Sequence, residues 1–259
     1  IGPSGSHFGK TESVEDSARV LGRMFDGIQF RGYKQSDVEI IGQFAGVPVW
    51  NGLTNEWHPT QMIADFMTMQ EYFGPNLKGK KLVYVGDAQG NVANSLMVTA
   101  SKLGLNYVVL APHSLSPNPS LVKKCQEFAR QSGGSITLEV DWQRATKNAD
   151  VIYTDVWVSM GEDNWTKRLT LLHNYQVNMA MIKNAKPHVI FMHCLPAFHD
   201  NNTVVGAVKA SEYGQRFPNV ASGAFEVTDE VIRSKHSLVF EQAENRLHSI
   251  KAIMLATMR

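Results

Sequence analysis

Two cysteines, Cys125 and Cys194, are all that the 259 residues contain. They are too few and too far apart for a disulfide framework, and this favours a reducing compartment, so the expected location is the cytoplasm. No apolar run reaches the roughly 18 residues of a membrane span. Neither sign of charge is in excess: Lys plus Arg number 25 and Asp plus Glu 24, for a net charge of +1. No long basic run occurs either, so nucleic acid and membrane are not expected partners. Glycine is present without the nucleotide patterns. G-x-G-x-x-G and GK[ST] are both missing, which disfavours NAD and ATP, and no cofactor is expected. The histidines are scattered and a zinc site needs more Cys or His at ligand spacing, so no metal is expected. A start methionine is lacking too. "IGPSGSHFGK" has no charged segment leading into an apolar one, so it is not a signal peptide. It reads like the interior of a domain, and the expectation is a sequence that begins partway through a longer protein.

What is present is an ordinary globular balance, 43% hydrophobic and 19% charged, at a length suited to one and a half or two domains. Ser13 can cap a helix, with Asp16 three residues on, and Val14, Ala18, Leu21 and Phe25 mark one face. Residues 26–33 and 47–52 read as strands, with a helix over 35–45 between them. Pro59 suits the first position of a helix striped by Met62, Phe66, Met69 and Phe73 and ended by Gly74. Further strands are expected at 81–91, 106–112, 135–140, 150–157 and 188–194, each including its exit turn, and a last short one at 236–240. Helices are expected over 94–103, 117–131, 142–148 and 163–183. Leu247, Ile250, Met254 and Met258 stripe the final helix.

Alternating strands and helices predict an α/β fold of two doubly wound parallel-sheet domains joined by a bridging helix, the first domain incomplete. The expected division is 1–58, the bridge 59–76, a second domain 77–235, and a C-terminal helix 236–259 returning to the first. Such sheets bind ligands beyond the carboxyl ends of their strands. There the sequence places Arg31, Asn51, Asp87, Asn91, His113, Asp155, His193 and Cys194.

"FMHCLPAFHD" (191–200) sets His193 beside Cys194 as a strand ends. A buried thiol, a metal ligand, a hydrolase nucleophile and a substrate contact are all open readings. The strand-end position and the following Leu195-Pro196 favour a substrate contact. Asn91, at a helix entrance, can be a plain turn residue or can offer its amide to a ligand carboxylate. Asp155 heads a bend through Ser159, Met160 and Gly161, whose glycine permits close backbone approach. His58 and Gln61 open the bridging helix, where the dipole favours anions.

"HCLPAFHD", "TDVWVSMGE", "GDAQGNVANS", "NGLTNEWHPTQ", "DSARVLGRMFDGIQFRGY" and "EQAENRLHSIKA", in this order, resemble the ornithine carbamoyltransferases. The resemblance spans essentially the whole chain. It implies that Arg31, His58 and Gln61 hold the carbamoyl group of carbamoyl phosphate. Asn91, Asp155, Ser159 and Met160 would hold the α-amino and carboxylate groups of ornithine. Cys194 and Leu195 would line the place where the δ-amine meets the carbamoyl carbon, with Arg246 facing it. His7 would reach a neighbouring subunit's site in a homotrimer or a multiple of trimers. The family's Ser-x-Arg-Thr-Arg phosphate motif is not in the sequence. It would precede Ile1, and Arg31 alone cannot supply the donors a dianionic phosphate needs. The resemblance thus implies a truncated enzyme, weakly active or inactive. Two other readings stand beside it: a carbamoyltransferase for another amine such as putrescine, and a non-catalytic assembly or regulatory fragment.

Overall fold

The computed structural model describes residues 7–158 and 163–258. Ser13 caps α1 (Val14–Met24), its hydroxyl accepting the Asp16 N–H at 3.0 Å. Ala18 is fully buried on this helix, whereas Phe25 has left it for extended backbone and lies exposed. β1 (Ile28–Arg31) and β2 (Val49–Leu53) pair in parallel through α2 (Gln35–Phe44). Ala18, Ile41 and Ala45 form the small core of this first lobe.

α3 (Pro59–Phe73) follows with proline in its first turn and ends at Gly74, whose φ of 89° suits a residue without a Cβ. The second lobe then runs β3 (Lys81–Val85), α4 (Asn91–Lys102), β4 (Asn106–Leu110), α5 (Pro119–Ser132), β5 (Ser135–Glu139), α6 (Trp142–Thr146) and β6 (Val151–Thr154). It continues with α7 (Trp165–Leu172), α8 (Met179–Asn184), β7 (Ile190–His193), α9 (Val204–Tyr213), α10 (Asp229–Ile232) and α11 (Val239–Thr257). Its five strands are parallel in the order β5-β4-β3-β6-β7. The winding reverses between β3 and β6, and a crevice opens at such a switch point. Alternate residues feed two cores. Leu82, Tyr84, Tyr107 and Tyr153 face α3 and α4, while Val83, Val85, Ile152 and Phe191 face α8 and α10. Buried on both faces, β3, β6 and β7 read as unbroken apolar runs, whereas β5 is an edge strand with Leu138 exposed.

Four expectations need correction. Residues 236–240 do not form a strand: Ser237 makes a single bridge to Phe191 and α11 begins at Val239. α4 starts at Asn91 rather than Asn94, so Asn91 lies in its first turn. The helix expected over 163–183 is broken into α7, a 3₁₀ turn at His173–Tyr175, and α8. The break falls where the Asn178 side chain caps a new helix by accepting from Ala180 and Met181.

The fourth concerns α11. Its apolar stripe does not face inward: Leu247, Met254 and Met258 are exposed. The buried positions are Val239, Gln242, Asn245 and Ser249. The reason lies in α3, along which α11 packs. Besides its apolar stripe, α3 carries Gln61, Asp65 and Thr68 at helical spacing, all buried. Polar meets polar here, and hydrogen bonds take the place of apolar contact. Asn245 donates to Thr68 Oγ1 at 2.9 Å and to Glu71 Oε2 at 2.6 Å. Further along, Trp50 of the first lobe donates to Thr257 at 2.9 Å. No helix among the described residues is long and apolar enough to cross a membrane.

Candidate active site

Strand alternation answers the question raised by His193 and Cys194, since neighbours on a strand point to opposite sides. His193 turns into the interior and is fully buried. Its Nδ1 accepts the Leu195 N–H at 2.9 Å and its Nε2 faces Glu226 at 3.4 Å. Glu226, also fully buried, accepts the Phe198 N–H at 2.6 Å. The pair thus holds both ends of the 194–198 turn. Leu195 within it has φ 51°, a left-handed conformation costing of order 1 kcal/mol or more for a side chain of this kind. Cys194 turns the other way, and its Sγ donates to Asp155 Oδ1 at 3.2 Å. Burial and then the Asp155 carboxylate raise its thiol well above the ordinary value, so it stays protonated at neutral pH.

Asp155 follows β6 and also accepts the Val156 N–H at 2.8 Å. Asp155, His193 and Cys194 each offer one ligand atom, all within 4.8 Å of one another. The His193 Nδ1 is taken by the Leu195 N–H, its Nε2 is buried 3.4 Å from Glu226 without a hydrogen bond, and the thiol hydrogen is shared with Asp155.

The other wall comes from the β2–α3 turn. His58 precedes Pro59 and is buried, its backbone N–H donating to Ser95 Oγ at 2.8 Å. Burial, then the positive charges of Arg246 and Arg31, lower its imidazole to about 3. It is neutral at pH 7, and its Nδ1 is buried without a protein partner. Gln61 Oε1 accepts from Arg246 Nη1 at 2.8 Å. Arg246 itself is held below the usual guanidinium value, first by burial. Arg31, at the end of β1, remains exposed.

Asn91 stitches the two lobes: its amide nitrogen donates to the Thr54 carbonyl at 2.6 Å, while its own carbonyl accepts from Ser95 at 2.7 Å. Part of its donor capacity is therefore spent inside the protein. Leu195 packs against the core beneath β7. His7 is exposed and its Nδ1 lies 2.7 Å from Thr11 Oγ1, a local contact. Ser159 and Met160, with Gly161, lie outside the described residues. Three other polar residues at strand ends are engaged elsewhere or apart. Asp87 pairs with Arg168 at 2.6 Å, Asn51 donates to Gln35 at 3.2 Å, and His113 is exposed.

Sequence reasoning missed Asp65, Gln242 and Tyr153, which sit behind this wall. Asp65 is fully buried and accepts from Gln61 at 2.8 Å, Gln242 at 2.6 Å and Tyr153 at 3.0 Å. One signal was available: a carboxylate four residues after Gln61 in a helix otherwise read by its apolar stripe.

This layout is that of a two-lobed α/β protein, with its polar groups gathered at the switch point of the larger sheet and the facing turn of the smaller lobe. Comparison with known proteins gives it a family. The carbamoyl-P binding domain model of the aspartate/ornithine carbamoyltransferases matches residues 2–71, and the Asp/Orn binding domain model matches residues 78–257. The chain belongs to the aspartate/ornithine carbamoyltransferase family. It is 53% identical over 267 residues to a catabolic ornithine carbamoyltransferase of Mycoplasma pneumoniae, covering 100% of this chain and 77% of that protein. Its match to the catabolic ornithine carbamoyltransferase of Malacoplasma penetrans is also 53% identical, covering 99% and 76%. Among solved structures, the ornithine carbamoyltransferase from Pyrococcus furiosus superposes with a TM-score of 0.83 at 43% identity, over 96% of this chain and 72% of that one.

Proposed function

We propose that this chain transfers the carbamoyl group of carbamoyl phosphate to the δ-amine of L-ornithine, forming L-citrulline and phosphate in arginine metabolism. The observation that carries this is the Cys194–Asp155 pair at the strand tips of the larger lobe, together with a facing wall of His58, Gln61 and Arg246. The two lobes match domain models named for the two substrates. The same geometry serves synthesis or breakdown, since both are one equilibrium approached from opposite sides.

An alkyl ammonium has a pKa of about 10.4, so only about one ornithine δ-amine in 2500 is free at pH 7. The site must therefore select and aim the neutral amine. The protonated Cys194 thiol is suited to orienting that amine. No covalent cysteine adduct is required, because carbamoyl phosphate is already activated. Asp155 supplies the negative charge for the α-amino group, and the Asn91 amide can still donate to the α-carboxylate through its second hydrogen. The family resemblance assigns Ser159 and Met160 to this grip as well, and Leu195 lines its floor. Across from them, Arg31 and Arg246 offer positive charge to the carbamoyl oxygen, which gains charge as the amine attacks. His58 is neutral and acts there as a hydrogen-bond donor. Holding both reactants in line contributes several kcal/mol by removing their translational freedom. The departing phosphate takes the proton. His7 belongs to a contact between subunits of a trimer, and the protein acts in the cytoplasm.

The test is an assay of purified protein with carbamoyl phosphate and either ornithine or putrescine. Slow formation of citrulline from ornithine, as the absence of a Ser-x-Arg-Thr-Arg motif from the sequence implies, with less product from putrescine, is the expected result. Equal or faster carbamoylation of putrescine would replace this reading, as would no product from either amine.

A further inference from the structure

Asp65 is fully buried on the bridging helix and has no place in the chemistry above. Its Oδ1 accepts from Gln61 Nε2 at 2.8 Å and from Gln242 Nε2 at 2.6 Å, and its Oδ2 from the Tyr153 hydroxyl at 3.0 Å. Each glutamine has a second engagement on its oxygen. Gln61 Oε1 accepts from Arg246 at 2.8 Å, and Gln242 Oε1 accepts the His193 backbone N–H at 3.0 Å.

We propose that Asp65 is a positioning residue which, by accepting from both glutamines, sets the sense of two amides at once. It turns the Gln61 oxygen to Arg246 on one side of the substrate site and the Gln242 oxygen to the backbone N–H of His193, the residue before Cys194, on the other. This rests on the placement of Gln61, Arg246 and Cys194 around the substrates made above.

The physical basis is that a primary amide keeps its shape when rotated by half a turn but exchanges an acceptor for a donor. A flipped Gln61 would set its NH₂ against the Arg246 guanidinium, donor against donor. A flipped Gln242 would do the same to the His193 N–H. An acceptor at position 65 opposes both flips at once from the other end of each amide, and an ionised carboxylate is acceptor-only whereas a protonated one carries a competing O–H. The Tyr153 hydroxyl closes the arrangement, donating to Asp65 while accepting from Gln242 Nε2 at 3.0 Å. Arg246 from α11, Cys194 just beyond β7, Tyr153 on β6 and Asp155 just beyond it are titratable or charged groups, among the described residues, in its surroundings. Burial raises the Asp65 carboxyl to about 6, against the opposing pull of Gln61, Gln242, Tyr153 and Arg246. A proton added there as pH falls gives the carboxyl a donor and removes the constraint on both amides.

Two measurements test this. In folded Asp65→Asn, kcat should fall at least tenfold with smaller changes in KM, and the acid limb of the parent's kcat profile near pH 6 should be lost. In the parent protein without substrate, the side-chain NH₂ resonances of Gln61 and Gln242 should shift together as pH is lowered through about 6. The second measurement stands even if the Asn variant does not fold. It also stands if the parent makes no citrulline, a result that would sink the proposed reaction but not this coupling. A folded Asn variant with kcat within twofold of the parent would overturn the proposal. So would glutamine amides that titrate separately or not at all.

Discussion

The Cys194 thiol donates to the Asp155 carboxylate at 3.2 Å, joining the exits of the neighbouring strands β7 and β6 beside the switch point. The carboxylate stabilises the thiol and opposes the thiolate, which suits the role proposed for Cys194, contact with a substrate rather than attack on one. Alkylation by iodoacetamide should therefore be slow at pH 8 compared with a free thiol and accelerate only at distinctly higher pH, read by mass spectrometry of the Cys194 peptide. Cys194→Ala should raise KM for ornithine about tenfold, equivalent to about 1.4 kcal/mol, and slow turnover without abolishing it. A carbamoyl-cysteine adduct trapped from the parent would contradict this.

His58 links stability to acid. Its pKa is lowered from 6.5 to about 3, so between those values the unfolded chain binds a proton that the folded protein refuses. Its contribution is present above pH 6.5 and is lost as pH falls towards 3, by up to about 5 kcal/mol at 1.36 kcal/mol per unit. Asp65 runs the other way. Its pKa is raised from 3.8 to about 6, so it contributes most below pH 3.8 and that contribution is lost as pH rises through 6. The two nearly offset, so from these groups urea midpoints measured from pH 7 to pH 4 should fall only slightly in the parent and rise in His58→Gln.

Gln61 and Arg246 meet at 2.8 Å in partly buried surroundings. Truncation by Gln61→Ala leaves the guanidinium without that acceptor, and a lost hydrogen bond to a charged group is worth about 1.5–3 kcal/mol. The expected outcome is a fall in kcat/KM of about ten- to a hundredfold, together with a lower thermal midpoint, because the buried Asp65 also loses a donor.

Away from the site, Asp150 tests the frame of the larger sheet. Its carboxylate is fully buried, accepts from Lys186 at 2.8 and 2.9 Å, and takes the Lys81 N–H at 2.8 Å. Burial works against its ionisation, yet these donors prevail and its pKa is lowered. Asp150→Ala should cost about 3–5 kcal/mol in urea unfolding at pH 7, since it strands a partly buried lysine and a backbone donor.

The second lobe was legible because parallel strands buried on both faces must be apolar throughout. "KLVYV", "NYVVL" and "HVIFM" announce themselves, and the rim residues follow from where each run stops. Asp155 and Cys194 could be named in this way, Arg31 likewise from the end of a first-lobe strand, and His58 from the entrance of a helix. Short elements held by local polar contacts were harder. α8 depends on the Asn178 side chain, and the expected strand at 236–240 gave way to a helix that starts once Ser237 has made its bridge to Phe191.

The sequence by itself determined the alternating α/β pattern, the residues at the strand exits and the family motifs, because periodicity and strand ends are local properties of a chain. Only the tertiary structure decided which way α11 faces and which polar side chains are satisfied in the interior. Hydrophobic patterning put Leu247 and Met254 inside, whereas the partner helix offered Asp65 and Thr68. A buried polar group takes the neighbour that completes its hydrogen bonds, and that neighbour stands 177 residues away in the chain.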